Sequence, residues 1–198
     1  FAQIGACTDT FDQYAARITA KFKTALIDSS LSYEKSKIER AFYSAEISSF
    51  DTEGEQEEIS WIGSLSPQSG QRLTLGVDAA DQSLTDGGSK RSRDNLGIWG
   101  EYDVDVLAGA LTLGARWDDN DDFGQHTSWR LSLQQQLAGT DHPLILRGAV
   151  GTGFRAPSLY EIAYNSGPFS YAPAAATALT EEESQGWEIG LSWGQPNQ

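Results

Sequence analysis

Leu96–Trp117 reads LGIWGEYDVDVLAGALTLGARW, and its side chains alternate in character along most of its length. Ile98, Gly100, Tyr102, Val104 and Val106 take turns with Trp99, Glu101, Asp103 and Asp105. After Leu107–Gly109 the pattern resumes, with Leu111, Leu113, Ala115 and Trp117 set against Thr112, Gly114 and Arg116. A strand sends successive side chains to opposite faces, so this segment predicts two strands joined by a tight turn, each with one apolar and one polar face.

The same period runs outward in both directions. Leu73, Leu75 and Val77 alternate with Arg72, Thr74 and Asp78; Trp129, Leu131 and Leu133 alternate with Arg130, Ser132 and Gln134. Near the end, Trp187, Ile189, Leu191 and Trp193 alternate with Glu188, Gly190 and Ser192. The pattern predicts about nine strands, at 13–23, 28–40, 55–66, 71–82, 95–106, 110–118, 127–138, 143–157 and 185–194. Short turns are expected at Thr24–Ile27, Pro67–Gly70, Leu107–Gly109 and Gly139–His142, and long polar connections at 41–54, 83–94, 119–126 and 158–184. Tight turns at one rim and long loops at the other suit a membrane β-barrel. Trp117, Trp129, Trp187 and Trp193 lie near predicted strand ends, where interfacial aromatic girdles sit. The alternation alone also fits a soluble β-sandwich with core tryptophans, and both architectures stand at this point.

Composition narrows the function more than the fold. No run approaches the eighteen or so apolar residues of a transmembrane helix, and the mean hydropathy of -0.42 fits a barrel wall as well as a soluble domain. A net charge of -14 argues against nucleic acid, which is bound through Lys and Arg. Cys7 is the single cysteine, so neither an internal disulfide nor a cysteine zinc cluster is available. The opening FAQIGACTDT lacks a basic and apolar leader, so any export signal is expected upstream.

One motif goes further. Val150–Ile162 reads VGTGFRAPSLYEI, and Leu179–Trp193 reads LTEEESQGWEIGLSW. In the first, Gly151, Gly153, Phe154, Arg155, Ala156, Pro157, Ser158, Leu159 and Glu161 resemble a strand-to-loop signature of the TonB-dependent outer-membrane receptors. In the second, Leu179, Glu182, Ser184, Gly186, Trp187, Glu188 and Gly190 match the segment that follows the loop in that family. Glu181 stands where the family favours proline and Glu183 where a basic residue is common. Ser92–Val104 and Leu111–Leu133 also resemble middle strands of its cobalamin and iron-siderophore members.

The resemblance implies an all-β, antiparallel transmembrane barrel of which 1–198 is a part, with the plug domain, signal peptide and C-terminal strands absent. It implies an outer-membrane receptor of a Gram-negative cell, not an enzyme and without a cofactor. Such a receptor takes up a scarce chelate, siderophore-iron or cobalamin, driven by the TonB complex. Its neighbours would be the plug, the ligand, and outer-membrane lipid and lipopolysaccharide. Arg147 and Arg155 fall on the polar face with Gly151 and Gly153, which makes them plug-contact candidates; the bland alternative pairs Arg155 with a nearby carboxylate. Two raw sheet edges would make the isolated piece self-associate. The competing readings are a porin-type barrel outside the TonB system and a soluble sugar-binding or glycoside-hydrolysing sandwich.

Other constellations are weaker. Gly151–Ala156 satisfies a loose dinucleotide pattern, but Pro157 follows and no helical stripe is expected there. Asp118, Asn120 and Asp122 have calcium-loop spacing, yet Phe123 and Trp129 occupy the positions that need Gly and Glu. A solvated acidic loop is the better reading, as it is for Glu181–Glu183. Lys90-Arg91-Ser92-Arg93 reads as loop charge that could meet lipopolysaccharide phosphates. His126 and His142, the only histidines, fall in an expected loop and an expected short turn, on opposite sides of the membrane in the barrel reading. No metal site is expected.

Overall fold

The computed structural model describes residues 7–140, 142–166 and 179–194. They form one antiparallel sheet whose strands lie in chain order: β1 (Cys7–Lys23), β2 (Asp28–Ser44), β3 (Ile47–Leu65), β4 (Gln71–Asp86), β5 (Ser89–Val106), β6 (Gly109–Asn120), β7 (Gly124–Ala138), β8 (Leu144–Arg155) and β9 (Glu182–Trp193). A helix, α1 (Leu159–Ser166), lies between β8 and β9. The backbone of each strand packs only on its neighbours in the sheet, and α1 lies against β4 and β5. Among the described residues no second sheet packs on either face, so a sandwich is overturned.

The register turns nine alternating sequences into two continuous surfaces. Ile18 lies beside Tyr33, Tyr33 beside Ile59, Ile59 beside Ala79 and Ala79 beside Leu96. Farther along, Ile98 faces Trp117, Leu113 lies between Tyr102 and Leu131, and Val150 lies between Leu131 and Trp187. Among the described residues, prolines aside, the only buried apolar side chains are Leu84, Leu159 and Ala163. Ile18, Trp187 and Ile189 are instead more than 70% exposed. A water-soluble domain of this size buries most of its apolar surface. The described chain leaves a nine-strand apolar band bare, which only hydrocarbon satisfies.

The opposite face is hydrogen-bonded across the strands. Thr19 and Ser32 share a hydroxyl contact at 2.9 Å, Ser64 and Thr74 one at 3.1 Å, and Thr112 Oγ1 donates to Asp103 at 2.6 Å. Arg116 donates to both oxygens of Asp78 at 2.8 and 2.7 Å, and to Asp118. A Cβ at Gly97 would collide with that guanidinium, so glycine there makes room for the ion cluster. Gly76 likewise leaves space for the Trp99 ring directly opposite it. This is the polar wall of a bore.

Three of the long polar connections expected from the sequence are strand instead. β2 and β3 continue through 41–54 and turn at Ala45 and Glu46, whose φ values are 51 and 66°. β4 and β5 continue through 83–94 and turn at Gly87-Gly88, both at positive φ. The 119–126 connection shrinks to three residues, with Asn120 Oδ1 accepting the N–H groups of Asp122 and Phe123. Paired positive-φ residues give the primed turns that fit the twist of a hairpin. A 17-residue strand is about 56 Å long at ~3.3 Å per residue, roughly twice the ~25 Å apolar band of an outer-membrane barrel. The surplus stands proud of the membrane. Its start is marked on the outer face, where Ala79 and Leu96 give way to the facing acids Glu57, Asp81 and Asp94.

Candidate functional site

The two sequence motifs are adjacent strands. Register places Gly151 opposite Gly186, Gly153 opposite Ser184, Arg155 opposite Glu182 and Arg147 opposite Gly190. The glycines serve close approach: a Cβ on Gly151 would lie 2.7 Å from the Trp129 carbonyl, and one on Gly153 would lie 2.8 Å from Ser184 Oγ. The close approach comes from the neighbouring strands themselves. Trp187, Glu188 and Gly190 continue β9, with Glu188 3.6 Å from Arg130.

At its far end β8 parts from β7. Their ladder runs from Ala138↔Leu144 to Arg130↔Gly151, beyond which Trp129 N–H donates to Thr152 Oγ1. The Phe154 ring fills the widened seam, stacked on His126 with centroids 3.9 Å apart.

The chain then turns inward. Ser158 and Glu161 form a reciprocal cap: Ser158 Oγ accepts the Glu161 N–H at 3.2 Å, and Glu161 accepts the Ser158 N–H at 2.7 Å. The sequence reading missed α1 and expected no helix after Pro157. The Ser158-x-x-Glu161 spacing is the signal that could have found it. Arg155 Nη2 forks onto both Glu161 oxygens at 2.7 and 2.8 Å, while Nη1 reaches Glu182 at 2.8 Å. Arg155 and the two Ser158 donors hold the Glu161 carboxyl at about 2, well below its ordinary range. Arg147, farther down β8, reaches Gln134 Oε1 at 3.2 Å.

Leu159 and Ala163 pack on Leu84, and all three are buried. Leu84 lies on the polar face, in phase with Asp78 and Gln82, so α1 sits inside the bore mouth. The reading of Arg93 as loop charge is corrected here. Its side chain is buried, and Nη1 donates to the Pro157 carbonyl at 2.7 Å. A cation in a polar run carries no sequence mark of where it points.

The residues with calcium-loop spacing are engaged within the protein: Asp118 with Arg116, Asn120 in its turn, and Asp122 3.7 Å from Arg93. Among the described residues no three His, Cys, Asp or Glu are placed to hold a metal. His126 sits at the start of β7 and His142 in the turn at the opposite rim. Residues 167–178 of the expected 158–184 loop lie outside the described residues.

Comparison with known proteins decides the family. Residues 8–198 match the family model "TonB dependent receptor-like, beta-barrel". The chain belongs to that family. A curated relative, the vitamin B12 transporter BtuB of Vibrio vulnificus, is 25% identical over 142 residues, which are 67% of this chain and 21% of BtuB. The siderophore receptor PirA of Pseudomonas aeruginosa superposes with a TM-score of 0.78 at 20% identity, over 93% of this chain and 37% of PirA. The ferric enterobactin receptor PfeA of the same organism gives 0.80 at 17% identity, over 96% and 33%. This receptor-barrel chain therefore spans about a fifth of its curated relative and about a third of those solved chains. The likeness to the solved structures carries the fold: nine strands of a larger antiparallel barrel that does not close here.

Proposed function

We propose that residues 1–198 are barrel wall and mouth of an outer-membrane receptor that imports a scarce nutrient chelate, siderophore-bound iron or cobalamin, under the drive of the TonB complex. The observation that carries the reading is the nine-strand sheet with one bare apolar face and one hydrogen-bonded polar face, joined to a family match over residues 8–198. The plug, the export signal and the remaining strands belong to the rest of the protein. BtuB is named for vitamin B12 and PirA and PfeA for siderophores, which supports both ligand classes.

Within this reading the roles of the two arginines divide. Arg147 holds a single neutral amide and faces the bore, which suits contact with a plug. Arg155 has both forks occupied by carboxylates, which suits holding the mouth segment in place.

Uptake in a strain deleted for the gene tests the proposal. Restoring the full receptor should restore accumulation of labelled cobalamin or of a ferric siderophore, and removing TonB should abolish it. Accumulation that persists without TonB would favour the porin-type barrel instead.

A further inference from the structure

The entrance to the bore is shaped by α1, and its docking converges on a residue outside both motifs. Arg93 is 7% exposed on the inner wall of β5. Its Nη1 donates to Pro157 O at 2.7 Å, Nη2 and Nε donate to Gln82 Oε1 at 2.7 and 3.3 Å, and Asp122 lies 3.7 Å away. Gln82 donates in turn to Gln56 at 3.1 Å, so the grip is braced across three strands. Taking a guanidinium out of water is costly unless its donors are satisfied in place. This one is satisfied by a carbonyl 64 residues later in the chain, at the step where the backbone leaves β8 for the helix. Two residues past that carbonyl, Leu159 enters the small apolar contact with Leu84, and Ala163 follows one turn on. Tyr160 and Tyr164 share the next stripe of the helix and are 48% and 52% exposed. With α1 backed against the inner wall, that stripe looks away from the wall into the entrance.

We infer that Arg93 is a positioning residue of the mouth: by capturing the Pro157 carbonyl it docks α1 on the inner wall and fixes Tyr160 and Tyr164 at the entrance. The planar fork matters, because one side chain must meet a main-chain carbonyl and a side-chain amide at once. A lysine supplies a point charge for one of them.

The test uses the full receptor in intact cells, with Cys7→Ser as background and a membrane-impermeant maleimide as probe. Ala163→Cys should react slowly and Tyr164→Cys quickly. Adding Arg93→Ala should speed the Ala163→Cys reaction roughly tenfold, the change expected when a hydrogen bond from a charged group is lost. It should leave Tyr164→Cys nearly unchanged, and Arg93→Lys should recover only part of the protection. Outer-membrane level and heat-modifiable mobility verify assembly; should Arg93→Ala fail to assemble, Arg93→Gln carries the same readout. If Ala163→Cys already reacts as fast as Tyr164→Cys, or if losing the guanidinium does not change its rate, the inference is overturned. The readout does not depend on which nutrient is imported, so its failure leaves the proposed transport untouched.

Discussion

The most concentrated chemistry in the chain surrounds one carboxylate. Glu161 receives the Arg155 fork and closes the cap of α1, so a single side chain holds both the helix start and its tie to β8. Its carboxyl is depressed from an ordinary 4.5 to about 2. A depressed acid contributes stability that is whole above its unfolded value and is lost as pH falls through the folded one. Hydrogen exchange of 159–166 should therefore be flat above pH 4.5, after correction for intrinsic rates, and should rise as pH approaches 2. Glu161→Gln should show the raised exchange at neutral pH and no such acid transition. An unchanged acid transition in that variant would place the pH dependence elsewhere. Replacing the cap residue separates the two functions of the site. Ser158→Ala should cost about 1 kcal/mol, the usual worth of an N-cap. It should raise exchange in α1 while leaving β8 and β9 protected, because the Arg155–Glu182 bond at 2.8 Å does not involve Ser158.

At the scale of strands, what was legible in the sequence follows from the solvent on each face. Between Leu73 and Val77, or Leu111 and Trp117, one face meets lipid and the other water, so apolar and polar residues must alternate. Those strands could be read directly. Ile47–Gly54 is equally extended, yet its ISSFDTEG stands beyond the apolar band and is wet on both sides. Nothing there selects a period of two, and the strand reads as loop. The helix was hidden for a related reason: only Leu159 and Ala163 are buried, too few to make a stripe. The two faces make a direct test of the barrel wall. Leu113→Arg sets a charge in hydrocarbon and should cost about 2–4 kcal/mol when the full receptor is refolded into lipid vesicles. Thr112→Arg, one residue away, points at Asp103 across the polar face and should be close to neutral. Equal costs for the two would mean that the faces are not divided between lipid and water.

For the whole molecule, two kinds of unsatisfied surface remain, and they call for different solvents. The apolar band requires hydrocarbon, which detergent supplies. The outer edges of β1 and β9 are a different matter: β1 pairs only with β2 and β9 only with β8 among the described residues, leaving a row of main-chain donors and acceptors on each. Detergent tails cannot hydrogen-bond these groups, and an unpaired edge templates another strand. β1 is exposed along all 17 residues, so the template is long. The isolated 1–198 chain should then stay oligomeric in detergent micelles that keep the full receptor monomeric, as read by light scattering corrected for bound detergent. Supplying the flanking strands in trans should reduce that mass, because they compete for the same edges. If the chain is monodisperse at the mass of one copy in the micelle, water and detergent satisfy the edges well enough on their own. The apolar face would then be the whole reason this sheet needs a membrane.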